Sequence, residues 1–186
     1  FSAIPISHFY GIEIADFAAE TAKLALFIAE YQANASFAEV FGRRPAALPL
    51  KDAAHIRTGN SLRIDWEEVC PPPGEGEEVF IAGNPPFLGS TYQSKEQKAD
   101  LAHVFSGHVK SFAAFDFVAA WFFTASRYIR GRTARAALVS TNSICQGYSV
   151  AALWPHVLED DLEIGFAHND FKWRNNASAN AAVIGS

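Results

Sequence analysis

The chain has no methionine and only two cysteines among its 186 residues. With Phe1 first, the missing methionine makes it read as a piece of a longer protein, or as a sequence from which selenomethionines have been lost. Cys70 and Cys145 lack metal-ligand spacing and read as reduced thiols of a cytoplasmic protein. The six histidines are scattered, and His103 and His108, five apart, do not share a helix face well, so no metal is expected. No signal peptide is visible. No apolar run is long enough to span a bilayer: the longest, 117–125, has Asp116 at its edge and reads as a buried helix, so no membrane partner is expected. Nor is there an excess of positive charge. Fifteen Lys and Arg against 20 Asp and Glu leave a net −5, which argues against a domain that coats nucleic acid. Local basic groups such as Lys95 with Lys98, or Arg127 with Arg130, read as solvated surface. What remains is 49% apolar with no repeat, enough for one globular domain with a substantial core.

The apolar pattern alternates between short strands and helices. Residues 9–14 read as a strand ending in Glu13. Asp16 stands where a helix N-cap would, before a helix over 17–32. Residues 41–60, with two prolines and two glycines, read as loop. Residues 61–66 read as a weaker strand with Asp65 near its end. Val79 to Gly83 is a strand, and residues 88–100 are polar and expected to be mobile. A long helix is expected over 112–130, ended by Gly131. A strand over 136–140 leads into the polar loop Thr141-Asn142-Ser143. A helix near 150–158 is interrupted by Pro155, and 162–168 and 181–184 are candidate last strands. Strands alternating with helices imply an α/β fold, a doubly wound, mostly parallel sheet. Ligands bind such sheets beyond the carboxyl ends of their strands, where Glu13, Asp65, Asn84 and Asn142 are expected.

Asn84-Pro85-Pro86-Phe87 is the most informative segment. Two prolines fix φ near about −65° and remove two N–H donors. Pro85 also drives Asn84 out of the helical region. The Pro85 carbonyl is then left without a ladder partner, beside the Asn84 side-chain oxygen. Two neighbouring acceptors suit an –NH2 group, which has two hydrogens to donate. Phe87 adds a face for stacking on a planar ring. Such a corner is expected to open into a crevice. The plainer alternative is a loop turn whose Phe87 plugs the core.

Taken with Phe9-Tyr10-Gly11-Ile12-Glu13-Ile14, the 93–98 segment Gln-Ser-Lys-Glu-Gln-Lys, Ser140-Thr141-Asn142-Ser143-Ile144 and Phe171-Lys172-Trp173-Arg174-Asn175-Asn176-Ala177, the corner resembles the amino-methylating DNA methyltransferases. The resemblance is closest to the large methylase of type IIG restriction–modification systems. It implies a Rossmann-like class I methyltransferase fold, S-adenosylmethionine as cofactor, and double-stranded DNA with a flipped adenine as substrate. Adenine is implied because Asn, rather than Ser, precedes the prolines. By the same resemblance Glu13 and Ile14 lie at the cofactor ribose, and Asp65 and Trp66 near its adenine. Asn84, Pro85, Pro86 and Phe87 form the catalytic corner, and Phe171, Trp173 and Asn142 line the target-base pocket. Glu13 also reads as a solvated helix-start acid, Asp65 as a turn residue, and Phe171 and Trp173 as edge-of-core aromatics. The family's glycine-rich cofactor loop, first strand and target-recognition region find no match, so residues 1–186 are expected to be a partial catalytic domain, inactive alone. A fused or associated nuclease is a further expectation. Methylation of a glutamine side-chain amide and a non-catalytic DNA-modification module are the alternatives.

Overall fold

The computed structural model describes residues 4–42, 53–168, 171–172 and 183–184. They fall into two compact units, Phe1–Pro71 and Pro72–Ser186, with the Pro71-Pro72-Pro73 run at the boundary.

In the first unit, β1 (Tyr10–Glu13) leads into α1 (Asp16–Phe41), and β2 (His55–Thr58) returns parallel to β1. Tyr10 pairs with His55, their rings stacked at 5.0 Å, and Glu13 pairs with Thr58. Gly11 eases the approach where the strands meet: a Cβ there would lie 2.8 Å from Ile56 Cδ1, so the Ile56 side chain would have to move aside. α1 is alanine-rich and carries Asp16 in its first turn, where the helix dipole favours an acid. It runs past the expected end at 32 and stops at Gly42, whose φ of 66° closes the last turn with an N–H bond to the Ala38 carbonyl. Phe17, Leu24, Ile28 and Tyr31 line one outward stripe of α1, and all are exposed.

Two expectations fail here. The strand lies at 55–58 rather than 61–66, inside the stretch read as loop. Residues 61–66 instead form a turn built on Asn60, whose Oδ1 accepts the Leu62 N–H at 2.9 Å, followed by the single helical turn α2 (Trp66–Val69). Asn side chains favour such turns because they can substitute for a backbone acceptor.

In the second unit, β3 (Val79–Gly83) and β4 (Ala134–Leu138) pair in parallel, Val79 opposite Ala134 and Gly83 opposite Leu138. Between them run α3 (Lys95–Phe105) and α4 (Ala119–Ile129). The expected mobile stretch is thus in part a helix. A capping box forms α3: Ser94 Oγ accepts the Gln97 N–H, and the Gln97 side chain accepts the Ser94 N–H. The long helix expected over 112–130 is split into a 3-10 turn, Phe112–Ala114, and α4. Asp116 makes the break, its Oδ1 accepting the Val118 N–H at 3.1 Å. Gly131 follows α4 with φ 68°. Beyond β4 come a 3-10 turn, Asn142–Cys145, then α5 (Tyr148–Ala152) and α6 (Trp154–Val157), which Pro155 starts rather than interrupts. Residues 162–168 hold no strand. β5 (Phe171–Lys172) and β6 (Val183–Ile184) make a short antiparallel pair.

Phe105 centres the core of this unit. It is fully buried, with Phe115 edge-on at 5.3 Å, Phe123 at 5.1 Å and Phe112 stacked at 5.8 Å. Leu101, Val118, Ala120 and Leu153 are buried as well. Phe105→Ala should therefore cost about 3–5 kcal/mol, read as a drop in the denaturation midpoint. A loss below about 1 kcal/mol would mean that the cluster does not hold this unit together.

A second expectation concerns pH. Glu96, in the first turn of α3, has its carboxyl held below the usual carboxylate value by its own backbone N–H and by the Ser94 hydroxyl. A carboxyl whose folded pKa lies below its unfolded one stabilises the fold above the unfolded value and loses that contribution as pH falls through the folded value. Acidification through the carboxylate range should lower amide protection at Gln97 and Lys98. Glu96→Gln should remove that dependence, and a variant that kept it would sink the assignment.

Candidate functional site

The corner Asn84–Phe87 follows directly on β3, in a stretch without regular secondary structure. Asn84 is exposed, and among the described residues its side chain has no hydrogen-bond partner. No hydrogen bond among the described residues ends on the Pro85 carbonyl. Pro85 itself is buried, Pro86 is exposed and Phe87 is half-buried. A pair of unclaimed acceptors thus stands at the carboxyl end of a parallel strand, with a ring beside it in sequence.

Both flanks of the corner are tied down. On the entry side the Gly83 carbonyl accepts the Val139 N–H at 3.0 Å, which extends the β3–β4 ladder to the last residue before Asn84. A Cβ on Gly83 would press to 3.3 Å from Leu138 Cδ2, so glycine allows the close approach. On the exit side the Leu88 N–H donates to Asp116 Oδ1 at 2.8 Å. The Leu88 carbonyl accepts the Phe117 N–H at 2.9 Å and Gln93 Nε2 at 2.9 Å. Gln93 is buried and donates the same nitrogen to the Phe115 carbonyl, while its Oε1 has no partner among the described residues. Sequence reading passed over Gln93 and Asp116 as site residues. The local signals were the Ser94-Lys95-Glu96-Gln97 capping signature, which would have placed Gln93 just before a helix, and the place of Asp116 at the edge of an apolar run.

Glu13 is the last residue of β1 and half-buried, and its carboxylate has no partner among the described residues. Ile14, next to it, is exposed. Asp65 does not end a strand. It N-caps α2, its Oδ1 accepting the Glu67 N–H at 3.0 Å, and it is exposed. Trp66 is half-buried and its indole N–H donates to the Ser61 carbonyl at 2.8 Å. Asn142 is half-buried and opens the 3-10 turn after β4. The backbone of Phe171 pairs with Ile184, whereas Trp173 lies outside the described residues.

A hollow of about 450 Å³ lies elsewhere in the second unit, lined among others by His108, Phe123, Arg127, Arg130, His156 and Glu159. None of the residues expected at the site borders it. Hydrogen bonding from Arg130 holds the Glu159 carboxyl below its usual value. Among the described residues no group of three or more His, Cys, Asp or Glu is placed to hold a metal, and no helix is long and apolar enough to cross a membrane.

Parallel strand pairs with helical crossovers, an acid closing one strand and an Asn-Pro-Pro-Phe corner after another, define a mixed α/β protein. Comparison with known proteins makes this specific. The family model for the MmeI DNA-methyltransferase domain matches residues 1–186, and the chain belongs to that family. It is 46% identical over 183 residues to a Bacillus subtilis (strain 168) protein named DNA methyltransferase A, a match covering 98% of this chain and 21% of that protein. It also superposes, with a TM-score of 0.85 and 43% identity, on the type IIL restriction–modification enzyme MmeI, solved in complex with DNA. That match covers 97% of this chain and 24% of MmeI, so the chain spans about a fifth to a quarter of the length of these relatives.

The cap at α2 yields a local expectation. Asp65→Ala should destabilise this turn by about 0.5–2 kcal/mol, seen as lost amide protection at Glu67, and Asp65→Asn should retain it. Equal loss in both variants would show that something other than the cap holds the turn.

Proposed function

We propose that this chain is part of the catalytic domain of an enzyme that methylates the exocyclic amine of a flipped adenine in double-stranded DNA. The observation that carries the reading is the exposed, unpartnered Asn84 side chain beside the unpartnered Pro85 carbonyl at the end of β3. Membership of a DNA-methyltransferase domain family and likeness to an enzyme solved with DNA support it. The doubly wound, Rossmann-like arrangement of the strands, work in the cytoplasm and association with a restriction nuclease are part of the same proposal.

The Asn84 oxygen and the Pro85 carbonyl each accept one hydrogen of the amine. Drawing both hydrogens into those bonds turns the nitrogen toward tetrahedral geometry and frees its lone pair. Phe87 stacks on the extruded base, an interaction worth about 1–3 kcal/mol per base. That offsets part of the few kcal/mol that flipping costs. S-adenosylmethionine, when bound, supplies a methyl group on a sulfonium centre. Glu13 suits its ribose, since an unpartnered carboxylate at a strand end offers two acceptors to a diol. The chain's contribution to rate is positioning and polarisation of the amine.

The test uses the full-length protein that contains this chain, labelled S-adenosylmethionine and duplex DNA. Asn84→Ala should lower methyl incorporation by about 10²–10³-fold or more, with an unchanged circular dichroism spectrum. Full activity in that variant refutes the role of the corner. A wild-type protein that binds DNA but transfers no methyl group would be a targeting module, and label on glutamine in place of adenine would move the substrate to protein.

A further inference from the structure

We propose that Asp116 and Gln93 are positioning residues for the Asn84–Phe87 corner, acting through Leu88. The inference rests on the methyl-transfer reading above and names two side chains that the reading does not need for contact with the substrate.

The corner has a structural problem. Pro85 and Pro86 carry no N–H, so this stretch of backbone lacks two of the donors that would otherwise anchor it. Its orientation must then be set by its neighbours in the chain. On the entry side that neighbour is Gly83, held by β4. On the exit side it is Leu88, and both of its peptide groups are taken by partners distant in sequence or by a side chain. Its N–H is bound by Asp116 Oδ1 at 2.8 Å, and its carbonyl by the Phe117 N–H and Gln93 Nε2, each at 2.9 Å.

The Leu88 N–H belongs to the peptide that begins at the Phe87 carbonyl. Fixing it fixes the plane from which the Phe87 Cα, and hence its ring, departs. The anchor is itself rigid. The same Asp116 oxygen accepts the Val118 N–H at 3.1 Å, at the start of α4, where Val118, Ala119 and Ala120 are all buried. Gln93 joins Leu88 to the Phe115 carbonyl, next to the aromatic cluster. A ring is thereby closed from β3 through the corner to Leu88, on to Asp116 and α4, and back through β4 to β3.

Gln93 is only 6% exposed, yet its Oε1 has no partner among the described residues. An apolar residue at this position would avoid the unpaired Oε1 but would leave the buried Phe115 carbonyl without the hydrogen bond that Gln93 gives it. The geometry of Gln93 is explained by the nitrogen, which bridges two carbonyls.

The experiment compares wild type, Asp116→Ala, Asp116→Asn and Gln93→Met in the full-length protein. Single-turnover methyl transfer is measured with both substrates saturating, beside KM for each and the emission of 2-aminopurine at the target position. Asp116→Ala should lower the transfer rate by about 10²-fold, the loss expected when reacting groups are displaced by about 1 Å, with KM for S-adenosylmethionine little changed. Asp116→Asn keeps an oxygen that can accept both N–H groups and should restore the rate to within a few-fold. Gln93→Met should fall between the two, and the 2-aminopurine signal should shift in the variants that lose rate. A role confined to stability would move the melting temperature and leave these quantities alone. An Asp116→Ala enzyme as fast as wild type overturns the proposal, and so does an Asn variant as slow as the Ala one. If Asp116→Ala does not fold, Gln93→Met decides in the same way. A wild type without transfer activity fails the functional reading, whereas an active wild type with indifferent variants fails the clamp alone.

Discussion

Two adjacent prolines make a stiff segment that has few means of attaching itself to anything, because each removes a backbone donor. Residues 84–87 therefore take their place from what grips the chain before and after them. The grip before is the continuing ladder, from Gly83 to Val139, and the grip after is the double hold on Leu88. The Asn84 side chain, the Pro85 carbonyl and the Phe87 ring all hang between those two points. Asn84 stays exposed with its side chain unclaimed because the structure holds the corner by its flanks and leaves its polar groups alone.

The helices of the second unit supply those holds. α3 begins two residues after the buried Gln93, and its capping box, on Ser94, fixes where that side chain enters the core. α4 begins just after Asp116, so the residue that breaks the expected long helix is also the one that receives Leu88. Phe105, at the end of α3, meets Phe115 and Phe123 on either side of that break. Packing in the core and placement of the corner are thus one problem in this unit. The chain belongs to the MmeI DNA-methyltransferase domain family, in keeping with the resemblance read from the corner and its companion segments.

Much of the architecture was legible where a run of side chains repeats with one period. β1, β3, β4, the start of α1 and the stop at Gly131 all follow from local pattern. β2 was not legible. Its four residues include one inward apolar side chain, Ile56, and its identity as a strand comes from lying beside β1. Leu62, Ile64 and Trp66 alternate with polar residues as a strand would, yet Asn60 folds them into a turn, and Asp65 becomes a cap in place of a strand-end acid. Of the polar residues expected at four strand ends, Glu13 and Asn84 stand there; Asn142 lies four residues past β4, and Asp65 belongs to a helix. The hold of Asp116 on Leu88 was out of reach of any local pattern, since the two are 28 residues apart in sequence.

The outward stripe of α1 carries a practical consequence. Phe17 is 85% exposed and Leu24 60%, with Ile28 and Tyr31 on the same side. An oily band of that kind facing water lowers colloidal stability, because two such bands gain by meeting. Produced as an isolated piece, this stretch of polypeptide will tend to self-associate as concentration rises, and mild detergent or a solubilising fusion partner is the natural remedy.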